Sequence, residues 1–582
     1  MSTSEHVTGM PQATCAIALT MLLAACGGGG GGGDSGSTSA TSSSTNAASG
    51  GSSASGGGTG SFSTFDAQRL IDQATFGPTP ALVTQVAAQG LSWIDAQIAT
   101  PASGYAVILP SSNVCASPVT SQCNRDNFSP FPIQLQFYQN ALTGTDQLRQ
   151  RAALAYSQIF VTSAYDQTYP TYAHRNYQQM LLDDAFANFR KILGDITLSP
   201  VMGHYLNMAN NNKGNLAAGI TPNENYAREV LQLFSIGPNT LNPDGTLVTQ
   251  NGVPVPTYTQ DTIEGFASAF TGWTYPNAQG ATSVATNNYT AYYAGPMIPV
   301  TNQHDSGTKL LLNGTTLPAG QSAQVDLNAA LDNIFNHPNV GPFIGKQMIQ
   351  FLVTSNPSPA YVARVSAVFN NDGTGTRGNM GAVIKAILTD SEARGDSAPN
   401  ATFGKLREPA VDVVAVLRAL NGTTDGQYPN TVATQMGQPV FSAHTVFSFY
   451  QPSQPLSGSS GLVAPQFGLL NTSSSLSRLN FIYQTTFATN GQVATPDSTL
   501  TTTSPIGTQI DLSPGLPLAS NVAGLITYLN NGLVHGTLRA NEVTALTTAV
   551  NAIPSSDATL ALDRVRAAVY LVMASPRYQI TR

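Results

Sequence analysis

The chain has 582 residues, length for one large or two to three ordinary domains, and its 41% hydrophobic content excludes wholesale disorder. Charged residues make up only 9%, against roughly 25% in an average globular protein, and the formal net charge is −7. No basic patch or arm stands out, which makes nucleic acid a poor partner, while a surface solvated by Ser, Thr, Asn and Gln suits a secreted protein.

Residues 13–25 form a mostly apolar run that ends at Cys26. The run is shorter than the ~20 residues a bilayer span needs but suits the apolar region of a signal peptide. Leu23-Ala24-Ala25-Cys26 resembles a bacterial lipobox, in which small residues allow cleavage before a cysteine that carries the lipid. An ordinary signal peptide with a chance cysteine is the alternative. Residues 1–68 hold no Lys or Arg, so the positive flank expected of a signal peptide is missing. Gly27 rather than Asp follows the cysteine, which suggests the outer membrane or cell surface as destination. The segment 26–62 is rich in Gly, Ser, Thr and Ala and reads as a disordered tether, with an expected span of roughly 30–36 Å. Thus 1–25 is assigned as signal, 26–62 as tether and 63–582 as the folded body. Cys115 and Cys123 lie in a Pro/Ser/Asn-rich loop, where an oxidising compartment would join them in a disulfide. The rival is a two-cysteine metal site, for which no histidine lies nearby.

Helical periodicity dominates the body, so the predicted class is mainly α. Helices are expected over 64–75, 80–99, 131–142, 145–164, 173–193, 199–209, 222–236, 260–270, 325–335, 339–353, 358–370, 380–390, 405–420, 519–530, 539–551 and 558–574. Thr221-Pro222-Asn223-Glu224 reads as a capping box with Pro at the first helical position. Ser199-Pro200 and His337-Pro338 read as further helix starts, and Gly237 as a stop. Residues 272–320 are rich in Gly, Pro, Thr, Tyr and Asn and are expected to form loop with a hairpin or two. Irregular stretches are also expected over 421–465 and 490–518. Two lobes, 63–320 and 321–582, would each carry a core.

Standard catalytic motifs are missing from the body: no H-E-x-x-H, Walker A, G-x-S-x-G or C-x-x-C. Gly373–Gly378 matches G-x-G-x-x-G but follows a helical segment, so it reads as a turn. The remaining chemistry lies in polar clusters. Asn225, Arg228, Glu229 and Gln232 form a polar stripe beside an apolar one made by Tyr226, Val230, Leu233 and Phe234, with Glu229 nearest the apolar edge. Asp261, Glu264 and Ser268 share one side of the next helix, and Trp273 follows. Glu229 and Glu264 are candidates for an acid/base pair. The plainer reading makes Arg228, Glu229 and Glu264 buried ion pairs that lock helices together. His304, Asp305 and Lys309 form a third cluster on a loop, within possible reach of His204. That loop cluster reads equally well as a turn in which Asp305 bonds backbone near Gly307. His337 reads as a cap.

Several of these segments, in order, resemble the bacterial domain of unknown function 1800 family. They are Arg69–Gly77, Asn223–Glu229, Glu264–Trp273, His304–Lys309, His337-Pro338 with Lys346, Lys405–Pro409 leading to Leu417–Leu420, Gly437–Phe441 and Ser575–Gln579. The resemblance spans nearly all of 63–582. It implies an exported protein without a settled activity, encoded beside a second family similar to the alkaline-phosphatase/sulfatase fold and hence a possible partner. After Gly437–Phe441 the family pattern carries Gly-Trp and further tryptophans, whereas Phe447-Ser448-Phe449-Tyr450 stands here. That difference bears on ligand preference if the segment lines a groove.

Two functions follow as expectations. The first is a tethered binding or assembly protein at the cell envelope, held to the bilayer through acylated Cys26, with Asn223, Asn225, Arg228, Trp273, Lys309 and His204 as candidate ligand contacts and a glycan or an exported protein as partner. The second is an extracellular hydrolase, glycan-active in one version, that uses Glu229, Glu264, His304 and Asp305 in one open cleft. A metal held by the same four residues is a third reading, although no cofactor is assigned.

Overall fold

The computed structural model describes residues 62–112, 114–165, 169–395, 402–497, 499, 507–554 and 559–582. The apolar run, Cys26 and most of the tether lie outside the described residues. Helices dominate, and β-structure is confined to ladders of two or three residues. Among the described residues no helix is long and apolar enough to cross a membrane.

The first helix, Thr64–Ala74, starts on a capping box in which the Ser63 side chain accepts the Asp66 amide and Asp66 returns to the Ser63 amide. Most predicted helices appear near their expected positions, among them Phe131–Thr143, Gln260–Ala269, Ala323–Phe335, Val340–Leu352 and Leu560–Met573. Three departures have local causes. The 80–99 segment breaks into Pro80–Gln89 and Ser92–Ala99 because Gly90 turns the chain at φ +59°. The 173–193 segment breaks into Thr171–Asp183 and Phe189–Leu198, with Asn188 capping the second helix. The 405–420 segment begins as a strand, Lys405–Leu406, and becomes helical only at Pro409–Ala419, since the residue before a proline favours extended backbone.

Within 272–320, Trp273–Thr274 pairs with Ile298–Pro299 and Lys309–Leu310 with Thr316–Leu317, both antiparallel, as the loop-with-hairpins reading expects. Gly265 lets the second of these ladders lie directly on helix Gln260–Ala269: a Cβ there would run into the Leu310 carbonyl oxygen. The strand Lys405–Leu406 pairs with Ile580–Thr581, which fastens the chain end to the middle of the molecule. Cys115 and Cys123 form a disulfide.

The buried apolar side chains gather into two clusters. The larger includes Leu70, Tyr156, Phe234, Phe266, Leu331, Ile344 and Ile387, so residues on both sides of position 320 share it. The smaller joins Phe137 and Tyr138 to Val413, Phe481, Leu525 and Val569. Helix Gln147–Ile159 serves both, sending Leu148 and Tyr156 to the larger cluster and Leu154 to the smaller. Along this seam lie paired buried charges: Asp72 with Arg407 at 2.8 Å, Arg151 with Glu408 at 3.6 Å, and Asp412 with Arg478 at 2.9 Å. Burying a charge is costly unless a partner and hydrogen bonds offset the lost hydration, and here each charge has a partner from a distant part of the chain.

Candidate functional site

The three sequence clusters meet different fates. His304 and Lys309 are buried, and both turn to Asp326 on helix Ala323–Phe335. The His304 Nε2 lies 2.9 Å and the Lys309 Nζ 2.7 Å from Asp326 Oδ2. The other His304 nitrogen lies 2.9 Å from the Thr271 carbonyl oxygen. Lys309 also donates to the carbonyls of Asp305 and Gly307, at 2.7 and 2.9 Å, and the Asp305 side chain accepts the Gly307 amide at 2.7 Å. This is the turn reading of the loop, locked from below by a carboxylate that the sequence did not single out. Both charged ends of the lysine and the aspartate are sealed from water, so the cluster clips the loop to the core.

The glutamates go elsewhere. Glu264 is exposed, and its Oε1 accepts the Gln260 amide at 3.3 Å, with Gln260 also donating to Glu224 at 3.0 Å. Arg228 pairs with Glu224 at 2.8 Å, which corrects the expectation of a buried lock with Glu229 and Glu264. Glu229 is half-buried with its Oε2 unpartnered, and burial raises its pKa against the opposing pull of Arg228. Four groups needed for one open catalytic cleft are therefore divided between a sealed clip, an exposed helix face and a separate half-buried position. The metal reading meets the same obstacle, because the cation beside Asp326 is the Lys309 ammonium. Among the described residues no group of three or more His, Cys, Asp or Glu could hold a metal ion.

The candidate ligand contacts are also dispersed. Asn223 is exposed, and its amide and carbonyl are both bonded to the Asn211 side chain, at 2.8 and 3.1 Å. This pulls the chain off the helical path, so helix Asn225–Gln232 starts three residues later than the Thr221 box predicts. The Asn225 side chain donates to Asn207 at 2.8 Å. Trp273 is fully buried. His204 faces tyrosines, with its Nδ1 2.6 Å from the Tyr275 hydroxyl and 3.3 Å from that of Tyr293, and burial lowers its pKa. His337 accepts the Asn339 amide at 3.2 Å just ahead of helix Val340–Leu352, whose first residue comes later than His337-Pro338 suggests.

A cleft of about 480 Å³ opens elsewhere, between the turn after helix Asn225–Gln232, helix Val340–Leu352 and the segment 446–466. Its volume lies in the range of small-ligand pockets, roughly 300–1,000 Å³. Helix Val340–Leu352 presents Phe343, Lys346, Gln347 and Gln350 to it, residues spaced at three and four positions and so sharing one face. At the turn, Gly237 runs at φ +74°, and a Cβ there would meet the Phe343 ring at 2.6 Å. The segment 446–466 contributes Phe447, Tyr450 and Gln466, and Gln158 comes from the seam helix. Phe447 and Tyr450 belong to the stretch where this sequence departs from the family pattern. Ser448 between them sits at φ +66°, a conformation that costs a non-glycine residue energy and tends to mark functional segments.

Beneath the cleft lies the ionised Glu408. Its Oε2 accepts from Gln158 at 2.9 Å, Gln438 at 2.6 Å and Tyr450 at 2.9 Å. Burial would raise the pKa of this carboxyl, but the charges of Arg151 and Lys405 outweigh it and hold it below the usual value. Gln158 and Tyr450 are therefore held by the same carboxylate. Gln350 is fixed likewise, donating to the carbonyls of Ser355 and Pro452 at 3.0 and 3.1 Å. Gln158, Gln347, Gln350 and Gln466 are each more than nine-tenths buried, and each keeps an amide atom without a protein partner. Such orphaned groups are uncommon in folded proteins and call for a water or a ligand. Sequence offered two clues to this site. Gln347 and Gln350 interrupt an otherwise apolar helix, and Lys405-Leu-Arg-Glu-Pro409 places three charges at the entrance of another.

None of Glu229, Glu264, His304 or Asp305 lines this cleft or the second one, of about 450 Å³, near Thr64, Tyr528 and Val565. No curated protein and no solved structure matches the chain. A family model described as a protein of unknown function, DUF1800, matches residues 69–580, nearly the whole folded body. The chain therefore belongs to the DUF1800 family.

Proposed function

We propose that the chain is an exported, lipid-anchored binding protein of the cell envelope and that the 480 Å³ cleft receives its ligand. The observation that carries this reading is the wall of four buried glutamines with unmatched amide atoms beside Phe343, Phe351 and Phe447. A fixed array of amides next to apolar rings suits a ligand that is polar at its edges and apolar on its faces, as a sugar is. The envelope placement is supported by Leu23-Ala24-Ala25-Cys26, by the Gly/Ser-rich segment that follows, and by the disulfide, a bond at home in oxidising compartments. Assembly with an exported phosphatase/sulfatase-like protein is the other form of the same reading, and co-purification from native membranes separates the two.

The test uses the full-length chain. Cys26→Ser should move it from the detergent phase to the aqueous phase, and a glycan array should return ligands for the wild type. Phe447 lines the cleft but is 43% exposed, so Phe447→Ala should fold while weakening that binding by about tenfold. Unchanged array binding in Phe447→Ala, or a membrane partition indifferent to Cys26, would count against the corresponding half of the proposal.

A further inference from the structure

The face that helix Val340–Leu352 turns to the cleft carries one positive charge, and nothing in the cleft answers it. Among the residues lining the cleft Lys346 is the one charged side chain, and no Asp or Glu is present. Lys346 is exposed at the rim and makes no ion pair among the described residues. The protein surface crowded around its ammonium lowers its pKa, with no carboxylate to offset the effect. The nearest buried carboxylate below the floor, Glu408, is already matched by Arg151 and three hydrogen bonds. In a chain of net charge −7, an unanswered cation beside aromatic rings and amides is a specific feature.

The amides sharpen the point. The Nε2 groups of Gln158, Gln350 and Gln466 already donate to Glu408, to the Ser355 and Pro452 carbonyls, and to the Gln350 carbonyl. This fixes the orientation of each amide and leaves each Oε1 as the unmatched atom. Three placed acceptors call for hydrogen-bond donors, which hydroxyl groups supply. Resting on the cleft reading above, we propose that the ligand is an acidic polyol, a glycan unit bearing one carboxylate or phosphate, with Lys346 as the contact for its negative charge. The rings of Phe343 and Phe447 face the apolar side of the sugar, and the glutamine wall meets its hydroxyls.

The experiment compares charged and neutral members of matched pairs on the full-length chain by calorimetry at low salt. Digalacturonate against its dimethyl ester gives the carboxylate arm, and glucose 6-phosphate against glucose gives the phosphate arm. The charged member of at least one pair should bind about tenfold more tightly, as expected for a charge-assisted hydrogen bond, with a preference that shrinks as salt rises. Whichever arm shows the preference identifies the anion. Lys346→Gln, at an exposed position, should bring the charged ligand down to the affinity of its neutral partner and leave the neutral one unchanged. Equal binding within both pairs, or a preference that survives Lys346→Gln, overturns the inference while leaving the cleft reading in place. If neither pair binds and Phe447→Ala also leaves the array binding unchanged, the cleft reading falls with it. Preference for an acidic peptide such as acetyl-Asp-Ala over every sugar overturns the polyol assignment.

Discussion

Replacing Asp72 by Asn should lower the unfolding free energy by about 3–5 kcal/mol, because it leaves a buried guanidinium without its counter-charge. Asp72 Oδ2 meets Arg407 Nη2 at 2.8 Å and His535 Nε2 at 2.7 Å, and all three side chains are at least nine-tenths buried. The Arg407 guanidinium stacks over the Tyr578 ring at 4.4 Å, and its Nη1 has no partner, so it has little other relief. Three distant parts of the chain meet here: helix Thr64–Ala74, the strand-to-helix entrance at 407, and the turn after helix Val522–Leu533. The pH dependence follows with its sign. Burial alone would raise the Asp72 pKa, but Arg407 and His535 overcome it and hold it at about 2, below the ordinary 3.8. A depressed carboxylate contributes stability that is complete above the ordinary value and lost as pH falls through the folded one. Denaturant titrations of the wild type should therefore lose this contribution between pH 3.8 and about 2, and Asp72→Asn should lack that part of the acid sensitivity. A variant as stable as wild type at neutral pH would show that Arg407 can be hydrated or repartnered.

Glu408→Gln should be about as damaging to stability, again about 3–5 kcal/mol, and should reach further into function. The carboxylate offsets Arg151, whose guanidinium also donates to the Phe351 carbonyl at 3.2 Å. It supports Lys405 as well, whose pKa burial and the Arg151 charge push down to about 7 against the pull of Glu408. Removing the negative charge leaves both cations opposed by less, and Lys405 should then lose its proton more readily. A lysine with a depressed folded pKa costs stability below that value, and the cost fades as pH rises toward the ordinary 10.5. The variant should therefore regain part of its lost stability between pH 7 and 9, measured by denaturant titration. Because Gln158 and Tyr450 both hang from Glu408, ligand binding at the cleft should weaken even at temperatures where the variant stays folded. Full affinity in a folded Glu408→Gln protein would show that the carboxylate does not organise the wall.

Sequence made the helical body legible because apolar residues at helical spacing report burial directly, as in Val340–Leu352 and Met380–Thr389. It failed where that signal is diluted or outbid. Thr472–Thr486 is the longest described helix yet opens on Thr-Ser-Ser-Ser, residues that read as loop, and Gln427–Gln435 falls inside a stretch expected to be irregular. The Thr221 capping box was outbid by Asn211, a tertiary partner that a local pattern cannot contain. The His304 cluster was found, but its meaning turned on Asp326, seventeen residues beyond Lys309 and drawn in only by the packing of helix Ala323–Phe335. The cleft was hardest to see. Its glutamines come from positions 158, 347, 350 and 466, neutral side chains that no spacing rule connects.

The cleft as the ligand site is most directly tested by hydrogen exchange on the full-length chain, free and saturated with the glycan that the array returns. Slowed exchange should appear in residues 340–352 and 446–466, with 225–231, 260–269 and 304–309 unchanged. Protection confined to the segments around Glu229, Glu264 and His304, with the cleft segments exchanging as in the free protein, would contradict it.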